Sequence, residues 1–212
     1  MQNLTLKNGF LLLRANWALA VRLNLYLSII YLCFVPIIRG ISNLDAVHSA
    51  ECLEQSVALI GIFLFVPLSR PEQNKDIQEI VFSKKKSYIS ILLLRFCMSF
   101  FCLLVLVSLF SAVMVVCGCS FPFAKYVFGT LISSLTLGGC GFLIATCTNN
   151  IIAGYFLSVG YFTLNLLGEI NGNSRLSLFS MSNGIFDTKY WLLAMSALCF
   201  LLVAIYERAN KR

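Results

Sequence analysis

The sequence predicts an all-α, polytopic membrane protein. It has six transmembrane helices, an N-terminal interfacial helix, a charged cytoplasmic helix after the second crossing, and a short re-entrant hairpin before the last. Three observations carry this. Of 212 residues, 59% are hydrophobic and 12% charged, against about a quarter charged in ordinary globular chains, and the mean hydropathy is +0.86. Apolar segments recur at 17–38, 52–68, 88–118, 126–147, 151–168 and 190–206, and their central parts contain no Asp, Glu, His or Lys. One long polar interruption, residues 70–87, holds the densest charge in the chain. Residues 1–212 read as a single transmembrane domain.

Residues 4–14 are too short to span. Leu4, Phe10, Leu11 and Leu13 with Lys7 and Arg14 suggest a helix lying in the interface. The N-terminus shows no cleavable signal: there is no small-residue processing site ahead of a soluble domain. In segment 17–38, Arg22 is placed to snorkel and Pro36 to kink the far end. Residues 42–51 are polar and include Asp45 and the sole histidine, His48. Segment 52–68 is short, roughly 25 Å at the helical rise, so it stands nearly upright or recruits flanking residues.

The stretch 70–87 has the chemistry of an amphipathic helix. Pro71 suits a first helical turn. Glu72 and Asp76 sit near the positive end of the helix dipole, and Lys84, Lys85 and Lys86 follow its negative end. Ile77, Ile80 and Val81 form an apolar stripe with Phe82 beyond it, while Lys75 and Glu79 pair on another face. A simple turn needs no such stripe, so lipid headgroups or a soluble partner should cover it.

Segment 88–118 is roughly 45 Å long as a helix, so its first turns, with Arg95, project into the interface. Segments 126–147 and 151–168 carry Gly129/Ser133, Ser134/Gly138 and Gly154/Ser158, small-residue pairs that allow close helix contact. Residues 169–189 contain Glu169, Arg175 and the apolar Leu176, Leu178, Phe179 and Met181, which fits a short helix pair dipping into the outer leaflet.

Six crossings put both termini on one side. With the termini and 70–87 inside, Lys7, Arg14, Arg70, Lys75, Lys84, Lys85, Lys86, Arg208, Lys211 and Arg212 are cytoplasmic. Only Arg39, Lys125, Arg175 and Lys189 are outside, a split of ten to four. The positive-inside rule selects this orientation. Basic residues cluster at segment ends rather than on one face, which argues against a nucleic-acid partner. Six of the nine cysteines, Cys33, Cys97, Cys102, Cys140, Cys147 and Cys199, lie within apolar segments and read as small hydrophobes. Cys117 and Cys119 lack companion ligands for a metal.

The order of parts, with Pro71-Glu72, Ile77-Gln78-Glu79-Ile80, Ser83-Lys84-Lys85 and Leu94-Arg95, resembles the membrane subunit of an ABC transporter of the type-2 exporter family (type V exporter fold). The resemblance covers nearly the whole chain through element order, and no single residue in it is diagnostic. It implies that 70–87 is a coupling helix on which a separate ATPase docks, through Ile77, Ile80, Val81 and Phe82 with Glu72, Lys75, Asp76 and Glu79 at the rim. It also implies a second permease copy or a sister permease, and a bacterial plasma membrane. ATP and Mg would reside on the partner, since this chain has no G-x-x-x-x-G-K-[ST] loop. The cargo would be an amphipathic or hydrophobic peptide, lipid or drug.

Three other readings compete. The substrate-capturing subunit of an energy-coupling-factor importer fits the length but leaves 4–14 and 70–87 unexplained. A non-transporting membrane immunity protein fits the hydropathy alone. A membrane enzyme needs buried ionisable groups or a metal; no catalytic residue, metal ligand or cofactor of its own is assigned to this chain. Of the carboxylates, only Glu169 is read as bordering a helix on the outer side, with Leu176 and Phe179 in the same re-entrant segment.

Overall fold

The computed structural model describes residue 14 and residues 16–68, 88–170 and 174–210. The expected interfacial helix over 4–14, apart from Arg14, and the expected cytoplasmic helix over 70–87 lie outside these residues. Among the described residues the chain is all-helical, with no strand.

A π-helical turn, Trp17–Val21, leads into α1 (Arg22–Arg39). Helices α2 (Ala46–Gln55) and α3 (Ile60–Phe65) are joined through a 3-10 turn, Val57–Leu59, so that Ala46–Leu68 is one apolar run. The remaining helices are α4 (Tyr88–Val116), α5 (Phe123–Cys147), α6 (Ile151–Leu166) and α7 (Asp187–Asn210). Among the described residues, five runs are long and apolar enough to cross a membrane: Arg22–Arg39, Ala46–Leu68, Ile89–Val116, Phe123–Cys147 and Asp187–Ala209. Helix α6, with 16 residues, is shorter.

The second run starts earlier than expected from hydropathy. The Asp45 carboxylate accepts the His48 N–H at 3.0 Å and caps a helix that begins at Ala46 rather than Cys52. Helix α4 ends where Gly118 takes φ +85°, a left-handed conformation that glycine adopts without cost. Asn149 (φ 53°) turns the chain between α5 and α6, and the Asn150 side chain caps α6 by accepting the Ile152 N–H at 2.9 Å.

Helix α5 and the Ala46–Leu68 run form the buried centre, at 72% and 78% buried, whereas Arg22–Arg39 is only 17% buried. The helices of the centre approach closely because their contact residues are small. A Cβ on Gly138 would lie 2.6 Å from the Gly61 carbonyl oxygen and 2.8 Å from the Phe65 Cβ. A Cβ on Gly154 would lie 2.8 Å from the Ala145 Cβ, and Ser158 donates to the Leu137 carbonyl at 2.8 Å. The small residues of α5 and α6 therefore bring backbones together, as such residues do in lipid. Four hydroxyls on α5 are satisfied within the helix: Thr130, Ser134, Thr136 and Thr146 each donate to the carbonyl four residues back at 2.7–2.9 Å.

Larger side chains fill the flanks. Phe96 of α4 meets Phe200 of α7 edge-on with centroids 4.5 Å apart, and Phe65 of α3 lies 5.6 Å from each ring. The outer faces of α1, α4, α6 and α7 expose large apolar side chains, among them Ile37, Phe101, Phe156 and Leu201. Such a belt is anomalous for a water-facing surface and compatible with a multi-pass membrane protein.

Candidate functional site: a buried charge pair under the 174–186 loop

Glu54 is the last charged residue of α2, and Lys189 stands in the first turn of α7. Their helices converge on α5, which brings Lys189 Nζ to 2.5 Å from Glu54 Oε1. The side chains are 2% and 0% exposed. Such a pair persists only if its remaining hydrogen-bonding capacity is met. The lysine has three donors. Besides the carboxylate it donates to Ser133 Oγ of α5 and to the Leu178 carbonyl, each at 2.7 Å.

The carboxylate is equally occupied. Met181 N–H donates to Oε1 at 3.1 Å and to Oε2 at 3.2 Å, and Ser182 N–H donates to Oε2 at 3.4 Å. Leu178 N–H is taken by Asn165 Oδ1 of α6 at 2.9 Å. Ser133 Oγ also donates to the Leu178 carbonyl at 3.4 Å, so side chains from four helices bond the backbone at Leu178, Met181 and Ser182, where a helix would have done so internally. This explains why residues 174–186 form turns and bends rather than the expected helix pair. Leu178 and Met181 are buried beneath the loop, and a Cβ on Gly129 would strike the Met181 sulfur, so α5 is notched to receive it.

The expected outer-segment residues are placed differently from one another. Phe179 is half-buried, its ring edge-on to Phe162 at 5.5 Å. Leu176 is exposed, and its carbonyl accepts the Tyr161 hydroxyl at 2.6 Å. Glu169 is exposed after the end of α6 and is not part of the charge pair. The sequence reading names Glu169 alone among the carboxylates and passes over Glu54, which stands in the last turn of α2 and is buried. Lys189, counted above among outer loop charges, is also interior. The signal was present in sequence: one acid just inside segment 52–68 and one base just before segment 190–206, at ends that share a side.

A second buried cation is Arg95 of α4, 2% exposed. Its Nε donates to Asn16 Oδ1 at 2.8 Å and its Nη1 to the Leu68 carbonyl at 3.4 Å. The ATPase-docking residues Glu72, Lys75, Asp76, Ile77, Glu79, Ile80, Val81 and Phe82 lie outside the described residues. Among the described residues, no cluster of three or more His, Cys, Asp or Glu side chains is gathered for a metal, and all nine cysteines are free thiols.

Glu54, Lys189 and their partners therefore form a closed polar knot that anchors the 174–186 loop to the bundle. With its donors and acceptors engaged, the knot holds structure in place and exposes no reactive group to a substrate. Comparison with known proteins finds no family model, no curated protein and no solved structure that matches this chain.

Proposed function

We propose that this chain is the membrane subunit of an ATP-driven exporter that resembles the type-2 ABC family, working with a separate ATPase that holds ATP and Mg. Six helices cross a bacterial plasma membrane with both termini cytoplasmic. The fifth is α6, which at 16 residues spans roughly 24 Å and is matched by local thinning or by the apolar Leu167 beyond it. The loop over 174–186 is the re-entrant element on the outer side. Two permease subunits, identical or sister, pair around a path for an amphipathic or hydrophobic peptide, lipid or drug.

One observation supports this reading most. Arg95 ties the start of α4 to the Leu68 carbonyl, the last described residue before the charged stretch, and to Asn16 next to the π-helical turn. The last described residue before the stretch and the second turn of α4 after it are therefore braced to each other. A lever needs such a fulcrum: displacement of 70–87 by a motor is passed to two membrane helices and the N-terminal segment together. The apolar Ile77, Ile80, Val81 and Phe82 make the contact with the ATPase, and the charges around them steer it.

The test is co-purification from membranes. Ile80→Asp and Phe82→Asp should leave the chain in the membrane and abolish its association with an ATPase subunit encoded beside it. Retained association in both variants refutes the docking role.

A further inference from the structure

Cys140 of α5 and Cys199 of α7 bring their thiols into contact, with the two Sγ atoms 3.9 Å apart. Both stand well inside runs long enough to cross a membrane, Phe123–Cys147 and Asp187–Ala209. Their helices meet turn after turn. Lys189 donates to Ser133 Oγ at 2.7 Å, and Thr136 Oγ1 lies 3.2 Å from the Leu192 carbonyl oxygen. Beyond these, a Cβ on Gly139 would lie 3.6 Å from the Cys199 Cβ. The Cβ atoms of a disulfide are usually about 3.8 Å apart, so the helices approach at this turn on the scale that a disulfide requires. The two thiols differ in access: Cys199 is 6% exposed, whereas Cys140 is half-buried. The surface beside them is apolar, with Leu198 and Leu202 of α7 exposed.

We propose that Cys140 and Cys199 are an oxidisable pair, through which a lipid hydroperoxide links α5 to α7 by a disulfide. The reaction balances in two steps. Cys140 Sγ attacks the peroxide bond and becomes a sulfenic acid, while its thiol proton passes to the departing oxygen and a lipid alcohol is released. Cys199 Sγ then displaces the sulfenic oxygen, which leaves as water with the Cys199 proton. Two thiols lose two electrons in all, and one hydroperoxide is reduced. Position selects the oxidant. A thiol well inside an apolar helix is reached through acyl chains, which carry a lipid hydroperoxide and exclude hydrogen peroxide as a polar solute. Position also assigns the roles: the more open sulfur meets the oxidant, and the buried one resolves the sulfenic acid before it oxidises further. The product is uncharged, which suits an apolar surrounding. Closing the bond brings the sulfurs from 3.9 Å to about 2.05 Å, so the two side chains rotate together and α7 is fixed on α5. The pair depends only on how these helices pack and is independent of the transport reading.

The test uses the full chain in lipid nanodiscs, treated with cumene hydroperoxide, which partitions into lipid, or with hydrogen peroxide at the same concentration. Remaining thiols are blocked with iodoacetamide, and the digest is read by mass spectrometry. Cumene hydroperoxide should yield a peptide linked through Cys140 and Cys199 that dithiothreitol separates, and hydrogen peroxide should yield several-fold less. In detergent the linked chain should melt at a higher temperature than the reduced one, because the bridge closes a long loop in the unfolded chain. Dimedone should trap a sulfenic acid on Cys140 in Cys199→Ala, and should leave Cys199 unlabelled in Cys140→Ala. Absence of the linked peptide from the natural chain overturns the proposal, and that readout needs no variant. Equal yields from the two oxidants overturn it as well. So does dimedone on Cys199 in Cys140→Ala, or a bond from Cys140 of one copy to Cys140 of another in place of the link to Cys199.

Discussion

Lys189 Nζ and Glu54 Oε1 lie 2.5 Å apart, both removed from solvent, with the rest of each group's hydrogen bonding met by Ser133, Leu178, Met181 and Ser182. Removing one partner leaves an uncompensated buried charge, whereas removing both does not. Glu54→Gln or Lys189→Met alone should therefore cost about 3–5 kcal/mol, and Glu54→Gln with Lys189→Met together should cost less than the sum. Thermal unfolding of the purified chain in detergent, followed for all four members of the cycle, measures this. Additive losses would mean that the two charges do not depend on each other.

The backbone contact between α3 and α5 predicts a sharp difference between glycines. Gly138→Val places methyl groups where the Gly61 carbonyl and Phe65 already sit, and should destabilise by at least about 1–3 kcal/mol. Gly160 has nothing within 4 Å of a Cβ. Gly160→Ala should be neutral or stabilising by about 0.5–1 kcal/mol, because alanine is the better helix former. Melting temperatures of the two variants in the same detergent compare them directly.

Arg95→Met keeps much of the side-chain volume and removes the bonds to Asn16 and Leu68. Hydrogen bonds to a charged donor contribute about 1.5–3 kcal/mol, so a loss of that size is expected in thermal unfolding. If the fulcrum reading holds, substrate-stimulated ATP hydrolysis by the assembled complex should fall further than ATPase association does. Arg95→Lys should recover stability only in part, because an ammonium does not reproduce the guanidinium's geometry.

Asp45 predicts a local pH effect. Its carboxyl is held below the ordinary carboxylate range, first by the His48 backbone N–H and then by the His48 side chain. A depressed folded value contributes stability that is present above the unfolded pKa and is lost as pH falls through the folded one. Hydrogen exchange at the first turn of α2 should therefore quicken as pH drops below about 3.9, the unperturbed value, after correction for intrinsic rates. Asp45→Ala should show fast exchange at neutral pH as well, and its difference from the natural chain should vanish in acid.

Much of the architecture was legible because hydropathy and length are properties of contiguous residues. Segments 88–118 and 126–147 needed no knowledge of their neighbours, and the small residues of α5 and α6 announced close packing by spacing alone. The polar knot was not legible in this way. Hydropathy places Glu54 at the frayed edge of a segment and Lys189 in a loop, and their union depends on how α2 and α7 lean on α5. The loop over 174–186 was misread as a helix pair for the same reason: its backbone partners are side chains remote in sequence.

Gly138 meets the Gly61 carbonyl, and a Cβ on Gly154 would strike the Gly141 carbonyl oxygen, which has a mechanical consequence. Where backbone rests on backbone, no rotamer can change to absorb sliding, so α3, α5 and α6 must travel as a single slab. Sliding is left to the seams with α1, α4 and α7, where side chains such as Phe96 and Phe200 form the joint.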